Sequence, residues 1–162
     1  MSEVELVRVL SGEEIGEIEA EIEHLPDRES AAIEALIIVQ KHRGWVSDQS
    51  LHAIARLLGM SSDALDSIAT FYNLIFRQPV GRHVVMVCDS VSCYVMGADG
   101  LGKAIQEQLG IAFGGTTEDD RFTLLPIVCL GACDKAPTMM IDDELIENVT
   151  AGRLREIFGR FN

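Results

Sequence analysis

Apolar residues recur at helical spacing through the first eighty positions of the chain. Ile15, Ile18, Ile22 and Leu25 follow one another at three- and four-residue intervals; Ser11 with Glu14 forms a capping-box pattern ahead of them, and Pro26 ends the segment. A second helix is predicted from about Ser30 to His42, with Ile33, Leu36, Ile37 and Val39 on its buried side and Gly44 as its stop. A third opens near Ser47 and carries Leu51, Ile54, Leu57 and Leu58 to Gly59. The fourth starts at Ser61 or Ser62, passes Leu65 and Ile68, and fades into Phe71, Tyr72 and Phe76. Four short helices with close stops predict a small bundle over residues 1–80.

The period changes after Pro79-Val80-Gly81. The unbroken run His83-Val84-Val85-Met86-Val87-Cys88 reads as a buried strand, and a helix follows from about Ala98 to Leu109, with Leu101, Ile105 and Leu109 on one face and Gly110 closing it. Phe122 to Val128 reads as a second strand, Thr138–Ile141 and Glu144–Glu147 as a hairpin about Asp142-Asp143, and Ala151 to Phe158 as a last helix. The order β, α, β, β, α over residues 81–162 predicts a small sheet with helices packed on it. The fold class expected is therefore α/β (α+β), a helical bundle followed by a sheet domain.

Composition narrows the function. The 162 residues carry a net charge of −13, a field that repels phosphate backbones, so nucleic acid is excluded as an expected partner. No apolar run approaches the roughly 18 residues that a spanning helix needs, and direct membrane insertion is not expected. Met1 to Leu10 alternates acidic and apolar residues without a basic or apolar leader, so a reducing, cytoplasmic location is expected. There, four cysteines point to metal or redox chemistry rather than to structural disulfides.

All four cysteines lie in the second half, as Cys88-x4-Cys93 and Cys129-x3-Cys133, each pair following an apolar strand. Strand ends open into loops whose backbone amides are free to donate to sulfur, and four clustered thiolates demand a cation to offset them. Structural zinc, a pair of disulfides or loose buried thiols, and an iron–sulfur cluster are the competing readings. Zinc knuckles favour C-x2-C, which neither pair has, and a thioredoxin-type dithiol needs C-x-x-C, which is absent. The C-x4-C spacing matches one arm of the plant-type [2Fe–2S] pattern, in which each pair would hold one iron.

Other features are weaker. Gly131 and Ala132 allow the backbone to fold closely around sulfur or form an ordinary tight turn, and Pro137 either fixes the chain as it leaves the site or opens a strand. Asp89, Ser90, Ser92 and Asp134 read as solvated loop polarity, with tuning of the sulfurs as the alternative. Gly97-Ala98-Asp99-Gly100-Leu101-Gly102-Lys103-Ala104 approaches the phosphate-binding pattern G-x4-G-K-[ST], but Ala104 lacks the hydroxyl that a Mg²⁺ ion needs. His24, His42, His52 and His83 share no ligand spacing with the cysteines. Trp45, Phe71, Tyr72 and Phe76 are core residues or an apolar patch for a partner.

Cys88-Asp89-Ser90-Val91-Ser92-Cys93 followed by Cys129-Leu130-Gly131-Ala132-Cys133-Asp134-Lys135-Ala136-Pro137 resembles the thioredoxin-like [2Fe–2S] ferredoxin family. More closely, with Val39 to Ser47 and Ile68 to Tyr72, the chain is similar to the E-subunit family of bacterial NADH:quinone oxidoreductase, respiratory complex I, from about Glu13 to Phe158. The resemblance implies a thioredoxin-like domain in which Cys88, Cys93, Cys129 and Cys133 ligate one [2Fe–2S] cluster. It also implies an electron-transfer role with little activity alone, in which single electrons pass to and from flavin on a neighbouring subunit. That neighbour would bind FMN and NADH and would meet the helical half, and the whole would sit on the cytoplasmic face of the inner membrane. The equivalent diaphorase subunit of an NAD-linked hydrogenase or formate dehydrogenase, or a zinc-stabilised interaction module, are the alternatives.

Overall fold

Serines cap three of the four helices described between Gly12 and Phe71, because a hydroxyl acceptor satisfies amides that the first helical turn leaves unpaired. A computed structural model of the chain describes residues 9–161, so the reading of Met1 to Leu10 falls largely outside the described residues. The chain divides into two units, one up to Pro79 and one from Val80.

In the first unit, α1 (Gly12–Ile22) starts at a complete capping box between Ser11 and Glu14. Helix α2 (Ala32–Arg43) follows a 3-10 turn at Glu29–Ala31 and stops at Gly44, whose φ of 82° is a left-handed conformation that glycine adopts freely. Helices α3 (Asp48–Leu58) and α4 (Ser62–Phe71) are capped by Ser47 and Ser61. Their core joins Ile18, Leu36, Val39, Leu51, Ile54 and Leu65. One expected face is corrected: Ile38 is buried while Ile37 is exposed and Ile33 only half-buried. From Ala32 to Val39 every residue of α2 but Glu34 is apolar, so periodicity does not choose its inward face; the small Ala32 and Ala35 beside Leu36 allow close packing and set it.

The second unit is a four-stranded sheet in the order β2-β1-β3-β4, with β1 His83–Cys88, β2 Phe122–Ile127, β3 Met139–Ile141 and β4 Glu144–Ile146. β1 and β2 are parallel in the register His83 to Phe122 through Cys88 to Ile127, whereas β3 pairs antiparallel with both β1 and β4. A parallel pair needs a crossover, which is built by α5 (Val91–Val95) and α6 (Ala98–Leu109). Val85, Ile105, Leu124, Met139, Ile141 and Leu154 anchor the core, which α7 (Leu154–Gly159) closes after a 3-10 turn. In this unit β2, β3, β4 and α7 are each shorter than their sequence pattern predicts, because Val128, Thr138 and Glu147 lie outside the ladder and Ala151–Arg153 is a 3-10 turn.

The entry to β1 depends on a glycine. A Cβ at Gly81 would meet Asp120 O at 3.0 Å and the carbonyl carbons of Arg121 and Phe122 at 3.1 Å, all backbone, while the Gly81 amide donates to the buried Thr123 Oγ1 at 2.7 Å. Gly81→Ala is therefore expected to destabilise the second unit by about 1–3 kcal/mol through strain in the β1–β2 pairing, visible as a lower melting temperature in thermal circular dichroism. An unchanged transition would show that this crossing relaxes at no cost.

Candidate metal centre

Parallel pairing decides where the cysteines go. Both β1 and β2 run toward the same end of the sheet, so Cys88, the last residue of β1 and register partner of Ile127, stands beside the strand end that Cys129 follows. Asp89 N donates to Ile127 O at 3.0 Å and Cys88 N to Thr138 O at 3.2 Å, which fixes the three chain segments together there. The loop expected between the first two cysteines is instead largely helical: Cys93 lies on α5. This turn of helix carries Cys93 inward, while Val91, Tyr94 and Val95 stay exposed.

The four thiols form two pairs of unlike environment. Cys88 and Cys93 are each only 1 % exposed, packed with Ala98, Ala136 and Leu130, small or flexible side chains that leave room around sulfur. Cys129 and Cys133 are exposed, with their Sγ atoms 3.3 Å apart. Gly131, at φ 81°, turns its amide back to Cys129 Sγ at 3.4 Å, a backbone conformation that glycine tolerates freely.

Each loop also serves the other pair's sulfur. Burial pushes the Cys88 thiol up, but the Ser90 amide, the Cys93 thiol, the Leu130 amide and the Ser90 hydroxyl outweigh it and hold Cys88 below the usual thiol range. The hydrogen bond with Cys129 raises the Cys133 thiol above that range, against a lowering contact from the Ser92 hydroxyl. Thus Leu130, between the second two cysteines, donates to the first pair, and Ser92, between the first two, reaches the second. Ser90 and Ser92, which the sequence presents as solvated polarity, contact sulfur; nothing in their spacing marks this, since it depends on the two loops meeting. Asp89 and Asp134 are exposed, and Asp134 faces Lys135 at 3.8 Å. Sequence reasoning misses Thr138, whose buried hydroxyl lies 3.5 Å from Cys93 Sγ one residue after the cis Ala136–Pro137 bond.

The candidate groups make different demands on this arrangement. Four-sulfur zinc asks for four thiolates round one ion. A [2Fe–2S] centre asks for thiolates two by two, and in a tetrahedral site with metal–sulfur bonds of about 2.3 Å they stand roughly 3.8 Å apart, close to the separation of Cys129 and Cys133. Paired sulfurs with amide and hydroxyl donors around them fit the iron–sulfur group.

The remaining sequence signals fall elsewhere. Gly97 precedes α6 but follows α5 rather than a strand, and Lys103 Nζ is held by Asp99 at 2.7 Å, so the near-match to a phosphate loop lacks both its context and a free lysine. His83 Nδ1 lies 2.7 Å from Asp142 Oδ2, at the start of β1, and His42 Nε2 lies 3.0 Å from Glu17 Oε1. In the first unit Phe71 is 77 % exposed, with Tyr72 and Leu74 also at the surface, whereas Trp45 and Phe76 are half-buried. Among the described residues no helix is long and apolar enough to cross a membrane.

Comparison with known proteins agrees with the geometry. The sequence model of the family described as thioredoxin-like [2Fe–2S] ferredoxin matches residues 18–162. The E subunit of NADH-quinone oxidoreductase from Pseudomonas aeruginosa is 55 % identical over 136 residues, covering 84 % of this chain and 82 % of its own length. Its counterpart in Escherichia coli is 50 % identical over 152 residues, 94 % of this chain and 92 % of its own. A chain in the crystal structure of an air-oxidised NAD⁺-reducing [NiFe]-hydrogenase superposes with a TM-score of 0.66 at 21 % identity, over 78 % of this chain and 22 % of that one, a likeness of fold.

Proposed function

The chain belongs to the thioredoxin-like [2Fe–2S] ferredoxin family, and we propose that it is the electron-transfer subunit of an NADH:quinone oxidoreductase, holding its one [2Fe–2S] cluster on Cys88, Cys93, Cys129 and Cys133. The observation that carries the ligand assignment is the meeting of two thiol pairs at one end of a parallel strand pair, each pair bonded by groups from the other's loop. The E-subunit relatives, at 50–55 % identity over most of the chain, favour this assembly over the hydrogenase or formate dehydrogenase alternative.

A bound [2Fe–2S] cluster takes up and releases one electron at a time. The protein's part is to hold it and to set the field around it. Cys88 and Cys93 anchor one side in the packed interior, where the Ser90 and Leu130 amides offset negative charge on sulfur. Cys129 and Cys133 would hold it from an exposed loop. The net charge of −13 opposes addition of a further negative charge and shifts the potential downward. FMN and NADH belong on the neighbouring subunit; the exposed Phe71, Tyr72 and Leu74 of the first unit suit contact with it. The assembled complex would lie on the cytoplasmic face of the inner membrane.

The test is composition and spectroscopy of the anaerobically purified chain. About two irons and two acid-labile sulfides per chain are expected, with visible absorbance and an electron paramagnetic resonance signal on reduction. A chain carrying stoichiometric zinc, colourless and silent, would establish the zinc-stabilised module instead.

A further inference from the structure

The two thiol pairs are equal as candidate ligands but not as targets for oxidants. Cys129 and Cys133 are exposed, and their sulfurs approach to 3.3 Å within one short loop. A disulfide bond is roughly 2.0 Å long, so the sulfurs need to close by only about 1.3 Å, and the three residues between them include Gly131, a conformationally permissive residue. Cys88 and Cys93 are each only 1 % exposed and packed with Ala98, Leu130 and Ala136, so their sulfurs present far less surface to a tripeptide-sized reagent.

We propose that, whenever no metal holds them, Cys129 and Cys133 are a thiol–disulfide modification site that closes on itself by exchange with a small disulfide such as oxidised glutathione, while Cys88 and Cys93 stay reduced. One exposed thiolate attacks a sulfur of glutathione disulfide, expelling one glutathione thiolate and leaving a mixed disulfide on the protein. The second thiolate attacks that protein sulfur and expels the other glutathione. Two protein thiols are oxidised, one glutathione disulfide is reduced to two thiols, and the protons of the protein thiols pass to the departing glutathiones. The closed pair offers no thiolate to a metal, so the empty site is locked against loading until a dithiol reductant reopens it. Only sulfur exposure and separation are needed for this, so it holds for the metal-free chain whether or not iron is the natural occupant.

The experiment uses the full-length chain, stripped of metal and fully reduced, then given oxidised glutathione anaerobically, alkylated and digested with trypsin. Cleavage after Arg121 and Lys135 places Cys129 and Cys133 in one peptide, and cleavage after Arg82 and Lys103 places Cys88 and Cys93 in another. The first peptide should be unalkylated and lighter by two hydrogens, and the second doubly alkylated. In Cys133→Ser the reaction should stop as a glutathione adduct on Cys129. Alkylation of all four cysteines under conditions that oxidise the urea-unfolded chain, or a cross-link joining the two peptides, would overturn the proposal. Failure of iron loading in the separate metal analysis would leave this result intact, so the two readings fail independently.

Discussion

Cys129→Ala is expected to abolish nearly all visible absorbance and the reduced-state paramagnetic signal of the purified chain, with iron and sulfide falling well below half their wild-type content. Ligand number decides this outcome. Removing Cys129 leaves Cys133 as the only thiol of its pair, and in an exposed loop water replaces the lost sulfur without holding the iron. The Gly131 amide also loses its sulfur acceptor, so the turn that presents Cys133 slackens. The damage should stay local, because the core of the second unit around Val85, Leu124, Met139 and Ile141 is a cluster separate from the one that holds Cys88 and Cys93. Far-ultraviolet circular dichroism close to wild type, together with cluster loss, is therefore the expected pair of results. A variant with full iron and sulfide would contradict the ligand assignment; a wholly unfolded variant would show that the centre supports the entire unit.

What the amino-acid pattern discloses about this site, and what it withholds, follow from the same physics. The uninterrupted apolar run ending at Cys88 is what a strand buried on both faces requires, and the second strand ends just before Cys129, so the placement of these two cysteines at strand ends is legible. That the strands are parallel is not legible, since pairing direction depends on how the intervening α5 and α6 cross the sheet. Helix α5 itself escapes because five residues hold little more than one turn and show no period. Without it Cys93 reads as a loop residue, and the contacts of Ser92, Leu130 and Thr138 with sulfur have no linear trace. In the first unit the serine caps and glycine stops are local chemistry and are read directly, whereas the choice of Ile38 over Ile37 is made by the packing of α2. The Ser11–Glu14 capping box is visible as a spacing, but the burial of Glu14 and its partner 29 residues away are not.

That partner makes the largest stability effect expected in the first unit. Glu14 is 1 % exposed, and Arg43 grips it through two bonds of 2.6 Å, from Nε to Oε1 and from Nη2 to Oε2. The same guanidinium donates to Val9 O at 2.6 Å and to Ser50 Oγ at 3.2 Å, so it ties the approach to α1, the end of α2 and the start of α3. Arg43→Ala leaves a carboxylate in the packed interior without its counter-charge, which costs about 3 kcal/mol. The loss should appear as a lower urea midpoint followed by the fluorescence of Trp45, the chain's one tryptophan, which lies in this unit. The pH dependence gives the mechanism its own signature. Burial pushes the Glu14 carboxyl up, but Arg43 and Ser11 outweigh it and hold it below its ordinary value of 4.5. A carboxyl depressed in the folded state contributes stability that is complete above the unfolded value and is lost as pH falls through the folded one. The wild type should accordingly lose stability below about pH 4.5, while the gap between wild type and Arg43→Ala narrows, because a protonated Glu14 no longer needs the guanidinium. Glu14→Gln should remove most of that pH dependence. A gap that stays constant from neutral to acid pH would mean that Arg43 acts through its bonds to Val9 and Ser50 rather than through the buried charge.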